Sequence, residues 1–331
     1  MLKWVVWMGL ATYAARRAVT SVILFFVSVS IAFFIFRLLG NPVAIMVGPG
    51  LPPGAAQVLT AEFGLNKPLW LQFVLFWRNF FHGNLGDSFV YTGTPVLQVI
   101  FPTRFINTVV LMGSGMLLSY LVSIPLGLLA GRRYGSMLDR GFSGLSVVLI
   151  SLPAFWLALI ILLVLGFYLG WIPLGGTVTL NRTFSSWWSY AANYMHHLIG
   201  PMISIAVFFF GSNFLITRAS SANVLRENFI RTFEAAGVGE GTIVFRHGLR
   251  NAILPELSFM AVQMSFLVAG AIFTESVFSW DGMGSLIYLA VQNSDYPVLQ
   301  ATFIFIAIVV IASNYIADIL YGLIDPRVRY D

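Results

Sequence analysis

Cysteine is absent from this sequence, so neither disulfides nor thiolate metal sites can form. Charge is scarce: 9% of the 331 residues are Asp, Glu, Lys or Arg, against about 25% in soluble domains. A water-facing surface cannot be built from so few. There is no Gly-Lys pair anywhere, and therefore no GxxxxGK[ST] phosphate loop. Hydrolysis of ATP by that device is excluded. No Ser-His-Asp set or paired carboxylates can be placed, which argues against an intramembrane enzyme. What remains is apolar: 58% of the chain, with a mean hydropathy of +0.86. That composition belongs in a bilayer, and there the net charge of +5 reports topology, with no call for nucleic acid as a partner.

A spanning helix takes about 20 apolar residues, since each adds about 1.5 Å across about 30 Å of hydrocarbon. Charged residues divide the chain into six such stretches: 18–36, 105–131, 141–169, 198–217, 257–274 and 296–317, the last continuing to about 323. The reading is an all-α polytopic membrane protein with about six transmembrane helices. Placing the amino terminus in the cytoplasm puts 13 of the 18 Lys and Arg residues in segments 1–17, 132–140, 218–256 and 324–331. The positive-inside rule then sets both termini on the cytoplasmic side of a multi-pass protein of the cell membrane. Residues 1–17, with Trp4, Trp7, Leu10 and Ala11 on one helical face, read as a cytoplasmic interfacial segment, and 18–331 as the membrane domain. Pro125 and Pro153 fall inside the second and third stretches and should kink them. Gly270 in the fifth would let helices approach closely.

Two segments outside the spans carry the most information. Residues 41–104 include Pro42, Pro49, Pro52, Pro53, Pro68, Pro95 and Pro102, interleaved with Phe73, Phe76, Trp77, Phe80 and Phe81. So many aromatics argue against disorder, and the segment reads as an ordered outer cap with a short helix at about 68–82. Segment 218–256 is polar yet helix-like, interrupted by Gly237, Gly239 and Gly241 and followed by Pro255. Two short surface helices around a glycine break fit that pattern. Arg246 and Arg250, four apart, would share a face, either as topology anchors or as contacts. The apolar side chains Phe229, Ile230 and Phe233 are candidates for a docking face there.

Other polar residues have bland readings beside the functional ones. His196 and His197 are adjacent, so their side chains diverge by about 100° on a helix and chelate poorly; no metal site is expected. Asn181-Arg182-Thr183 is a glycosylation triplet of a kind that arises by chance. Asp318, the one acid within the sixth stretch, either contacts another helix or reaches water at the cytoplasmic end.

Several ordered motifs resemble the permease subunits of dipeptide/oligopeptide-type ABC importers, the inner-membrane components of binding-protein-dependent transport. They are FGLNKPLWLQF at 63–73, GNLGDSF at 83–89, PVLQVI at 95–100, PLGLLAGRRYGSMLDR at 125–140, RHGLRNAILP at 246–255, TESVFSWDGMGSLIYLAVQNSDYPVLQA at 274–301 and DILYGLIDPRVR at 318–329. The resemblance implies a type I ABC importer permease fold. It implies a transport subunit that is not itself an enzyme, carries no cofactor, and leaves ATP and Mg to partner subunits. The implied partners are a second homologous permease, two ATPase subunits, an extracellular or periplasmic solute-binding protein and the lipid membrane. Peptides are the implied cargo, with oligosaccharides as the alternative within the family. A stand-alone ion-coupled carrier is the alternative outside it, and the scarcity of intramembrane charge counts against that.

The family's cytoplasmic coupling loop is marked by Glu-Ala-Ala, three residues, then Gly. Here Glu234-Ala235-Ala236 runs directly into Gly237, so a register on Gly237 puts Arg231-Thr232-Phe233 where the triplet belongs. On this resemblance the coupling residues are Phe233, Glu234, Gly237, Glu240, Arg246, His247, Arg250 and Asn251. Trp280 and Asp281 are candidates for binding-protein docking, with tight-turn packing as the equal alternative.

Overall fold

The computed structural model describes residues 2–38, 57, 60–61, 64, 66–91, 93–264, 266 and 272–324, with backbone alone at 2–11, 261, 317 and 320–324. Pro42, Pro49, Pro52, Pro53, Gly270, the PRVR of the last motif and the side chains of Trp4, Trp7, Leu10 and Ala11 lie outside the described parts. Four helical segments are long and apolar enough to cross a membrane: Thr12–Leu38, Val96–Arg132, Trp187–Val224 and Tyr296–Ile316. A helix pair over 137–168, bent between its halves, makes a fifth if the two halves count as one span. The stretch expected as the fifth in chain order, 257–274, is described at 257–264, 266 and 272–274. The chain divides into two compact units, 1–106 with 285–331, and 107–284.

In the first unit, α1 spans Leu2–Leu38 without interruption. Residues 2–17, expected as a separate interfacial segment, continue into the span because no Gly or Pro occurs between residues 10 and 38 to break the helix. Helix α2 (Leu69–Phe81) forms where a helix at 68–82 is expected. It runs antiparallel to α1 along an aromatic seam: Phe73 lies 5.3 Å from Phe34, Phe76 5.2 Å from Phe33, and Trp77 4.9 Å from Phe26 between ring centroids. A short α3 (Val96–Ile100) is followed by Phe101, which meets Phe305 of the last helix at 4.9 Å. That helix, which becomes α14 in chain order, covers Tyr296–Ile324. Its start is fixed by the buried Asp295 carboxylate, which accepts from the amides of Val298 and Val90 and from the Ser88 hydroxyl. Farther along, Asp318 pairs with Arg17 of α1. Of its two readings, the helix–helix contact is the one observed.

The second unit is organised on α7 (Trp187–Val224), a 38-residue helix much longer than the span at 198–217 requires. Ser186 caps it by accepting from the Ser189 amide. Helix α4 (Thr103–Arg132) retains Pro125 within its length and lies against α7 at three glycines. A methyl group on Gly115 would sit 2.5 Å from Ile205 Cβ, one on Gly127 2.8 Å from Thr217 Cβ, and one on Gly131 1.9 Å from Ser221 Oγ. Backbones therefore touch where small residues permit it. Above that seam Leu111, Met112 and Met116 pack with Leu198, Ile205, Phe209 and Trp280.

The third span expected over 141–169 with a kink at Pro153 is sharply bent there in the structure. It consists of α5 (Met137–Ser151) and α6 (Ala154–Ile161), which runs into a π-helical turn at Leu162–Tyr168, with a bend of 108° between the two halves. Leu152 in β conformation and Pro153, which has no amide to donate, end α5. The first half also starts before Gly141, because Ser136 caps it and the buried Asp139 finds Arg218 as a counter-ion. The short helices α8 (Asn228–Ala235), α9 (Glu240–Thr242) and α10 (Leu249–Ala252) follow α7, and α11 (Leu254–Met264) and α12 (Ile272–Val277) complete the unit. A polar ladder joins α11 to α7 and α4: Gln263 Nε2 donates to Asn213 Oδ1 at 2.8 Å, and Asn213 Nδ2 donates to Ser119 Oγ at 3.1 Å. Thr217 Oγ1 donates to the buried Glu256 at 3.2 Å. The remaining helix, α13 (Met283–Gln292), crosses the boundary between the units.

Candidate functional site

The segment between α7 and α11 folds as the two short helices around a glycine break that its sequence suggests. Helix α8 (Asn228–Ala235) ends on Ala236. The amide of Gly237 donates to Glu234 O at 3.0 Å, and that of Val238 to Phe233 O at 3.1 Å. Gly237 has φ +74°. This is a Schellman stop, a conformation that only glycine adopts without strain. The chain then resumes as α9 (Glu240–Thr242), a π-helical turn at Ile243–Gly248, and α10 (Leu249–Ala252).

The loop is closed on itself by apolar contacts. Leu225, Ile230 and Ile243 form a buried cluster with Phe233 and Val238 against it. The Phe233 ring stacks on His247 with centroids 4.0 Å apart. Consequently Ile230, expected on a docking face, is buried inside the loop, and the half-buried Phe233, expected there too, stacks with His247 as a strut between the two short helices. Phe229, 37% exposed, and Phe245, 45% exposed, are the large apolar side chains left facing outward. Arg231, Arg246, Arg250 and Asn251 are also exposed. The sequence singles out Arg246, Arg250 and Asn251 but gives no prominence to Phe245. The intervening π-turn alters the spacing of its face, which a 3.6-residue period does not anticipate.

Ion pairs tie this loop to its neighbours. Arg132, the last residue of α4, donates from Nη2 to Glu234 Oε1 at 2.7 Å and from Nε to Glu240 Oε1 at 3.3 Å. Asp139 at the start of α5 holds Arg218 of α7 in a fork, one arm at 2.9 Å. The Tyr134 ring receives two guanidinium groups, Arg218 at 4.7 Å and Arg226 at 4.9 Å. Glu234 and Glu240 are thus brought together on one cation. Arg132 was legible in the sequence only as a topology signal, since nothing local indicates that residues a hundred positions apart converge.

The turn at 278–284 differs from expectation in one respect. Trp280 is fully buried, its Nε1 donating to Asn107 O at 3.1 Å and its ring 5.2 Å from Tyr194. It has no surface for a docking protein, and packing of the tight turn is its role in place of the docking contact expected for it. Asp281 is half-buried, with its carbonyl accepting from Asn107 Nδ2 at 2.7 Å. The same turn is clamped by Thr108, which donates to the buried Glu275 at 2.7 Å and accepts from the Met283 amide at 2.8 Å. A methyl on Gly282 would approach Glu275 Oε2 to 2.4 Å, which explains the glycine.

The adjacent histidines serve the preceding loop. His196 Nε2 lies 3.0 Å from Trp171 O, while His197 Nδ1 lies 3.0 Å from Gly176 O and Nε2 3.2 Å from Thr179 Oγ1. Among the described residues no three or more His, Asp and Glu side chains converge as metal ligands would.

Residues 123–330 match the model of the binding-protein-dependent transport system inner membrane component, and residues 10–113 that of the amino-terminal part of such membrane components. The chain is 34% identical to the oligopeptide transport system permease protein AppB of Bacillus subtilis (strain 168), over 97% of this chain and 100% of the relative. It is 33% identical to the dipeptide transport system permease protein DppB of Escherichia coli (strain K12), over 90% and 92% respectively. It is 34% identical to the glutathione transport system permease protein GsiC of Escherichia coli O6:H1, over 93% and 95%. The chain, a multi-pass membrane protein, belongs to the family of binding-protein-dependent transport system inner membrane components.

Proposed function

We propose that this chain is one of two permease subunits of an ATP-driven peptide importer, and that its 218–256 loop is the docking and coupling element for the ATPase subunits. The observation that carries the reading is the construction of the loop. It is braced from within by Ile230, Ile243 and the Phe233–His247 stack, yet it leaves Phe229 and Phe245 exposed beside several arginines. A rigid, short-helical element with a small apolar contact and a basic rim suits a partner's groove, where the apolar part supplies contact energy and the charges set orientation. Being joined to α7 at one end and α11 at the other, it moves both helices when the partner moves it. The chain contains no phosphate loop of its own, so the ATP is bound by the partner.

Relatives named for oligopeptide, dipeptide and glutathione transport support peptide as the cargo over oligosaccharide. With most Lys and Arg in 1–17, 132–140, 218–256 and 324–331, both termini and the coupling loop face the cytoplasm. The outer cap 41–104 and the turn at Asp281 then face the solute-binding protein. Purification of the tagged chain from its native membrane in mild detergent tests the reading. A second permease and ATPase subunits should co-purify; a chain that comes out alone, under conditions that preserve other complexes, overturns it.

A further inference from the structure

We infer that Arg132 is the joint through which the coupling loop drives α4, a helix the loop is not covalently attached to. The inference rests on the coupling reading above. Covalently the loop pulls only on α7 and α11. Contact with α4 comes from one stripe on its last turns: Ile124 and Leu128 pack with Val244, Leu249 and Ala252 of the loop, and Arg132, one further turn along, receives Glu234 and Glu240. Positions 124, 128 and 132 recur every four residues and so lie on one helical face.

The stripe has two parts with different duties. Leu128 is buried, at 1% exposure, and its contact is part of the core. The Arg132 side chain is 26% exposed, Glu234 40% and Glu240 60%, so the ion pairs lie at the rim and contribute little to stability. They do fix geometry. Glu234 is on α8, before the Gly237 stop, and Glu240 opens α9, after it. One guanidinium therefore spans the glycine break and holds the two short helices at a fixed angle to the end of α4. The end of α4 is in turn packed on α7. Ser221 Oγ donates to Gly127 O at 3.1 Å, and Gly131 lies against the Ser221 side chain and the Ala222 amide. The last turns of α4 and α7 are thus packed side by side, and Arg132 sets the angle at which the two short helices meet them. Arg132 is a positioning residue, touching neither solute nor nucleotide.

The test uses the complete importer, with its second permease, ATPases and binding protein, reconstituted in liposomes. The readout is solute moved per ATP hydrolysed. Arg132→Gln should lower this ratio about fivefold, or about 1 kcal/mol at about 1.4 kcal/mol per decade. The mirror-image variant, R132E with E234R and E240R, should restore it to within about twofold of the original. A merely structural role would change the yield or melting midpoint of the complex and leave the ratio alone. An unchanged ratio in Arg132→Gln overturns the joint, as does failure of the mirror-image variant to recover. The two readings separate by cross-linking, which the cysteine-free chain permits. Phe245→Cys with a thiol-to-amine cross-linker should capture an ATPase subunit in both backgrounds. Capture with an unchanged ratio refutes the joint and keeps the coupling reading; no capture in either background refutes both.

Discussion

Alanine at Gly131 and alanine at Gly113 should shift the stability of this protein in opposite directions, although both glycines lie in α4. In a helix interior, glycine is less favourable than alanine by roughly 0.5–1 kcal/mol, because the unfolded chain has more freedom to lose. At Gly113 nothing lies within 4 Å of the added methyl group, so that gain should be realised in full. At Gly131 the methyl would sit 1.9 Å from Ser221 Oγ, 2.8 Å from the Ala222 amide nitrogen and 2.9 Å from the Arg218 carbonyl. A rotation of Ser221 relieves only the first contact, at the expense of its bond to Gly127 O. The other two are backbone atoms, and relieving them requires α4 and α7 to part. Overpacking of this kind costs about 1–3 kcal/mol, which outweighs the propensity gain. The assay is the thermal midpoint of tryptophan fluorescence in one mild detergent at a fixed scan rate. Gly113→Ala should melt at or above the parent and Gly131→Ala several degrees below it. Equal midpoints for the two variants would refute the close approach of α4 and α7.

Valine at Gly237 forces a β-branched residue into the left-handed region, at a cost of about 1–2 kcal/mol confined to the loop. Membrane insertion should be unaffected while solute transport falls several-fold, and normal uptake into proteoliposomes would contradict the role of the stop. At the 278–284 turn, Trp280→Ala should lower the melting midpoint markedly, by about 3–5 kcal/mol in free energy. Asp281→Ala should lower the midpoint by less than Trp280→Ala does and raise the concentration of binding protein needed for half-maximal ATPase stimulation. The reverse pattern, a mild Trp280 variant and an unfolded Asp281 variant, would return Trp280 to the surface.

Much of the architecture is readable in the chain because spanning helices are written in composition. The positions of α1, α4, α7 and α14 follow from where charges stop and apolar runs begin, and α2 follows from Pro68 and the aromatic spacing of 73, 76, 77, 80 and 81. Boundaries are another matter. Helix α7 extends well beyond its apolar stretch at both ends because Ser186 caps one and because Arg218, which marks the end of the run, is neutralised by Asp139. The same ion pair lets α5 begin before Gly141. A charge that finds a partner in space need not end its helix, as Arg218 does not. The bend at Leu152-Pro153 was signalled by the proline, but its size was not: a proline inside a helix bends it, as Pro125 is accommodated in α4, whereas one preceded by an extended residue ends it.

That distinction governs the candidate site as well. Each arginine at the mouth of a span reads identically in sequence, as a topology signal, yet Arg17, Arg132 and Arg218 each have an acid to hold while Arg246 and Arg250 face outward. Charge bias that orients the chain during insertion leaves many cations on one side of the bilayer. The fold then spends some of them on fixing its own geometry and leaves others for a partner. Pairing is decided by which acids the loop brings within reach. Glu234 and Glu240 do so because Gly237 reverses the chain between them. A single glycine with positive φ thus has two effects: it stops α8, and it aims two carboxylates at one guanidinium. Substituting it should therefore loosen the Arg132 contacts along with the turn, so that Gly237→Val combined with Arg132→Gln lowers transport by less than the product of the two separate effects. Strict multiplicativity in that double-mutant cycle would mean that the stop and the ion pairs act independently.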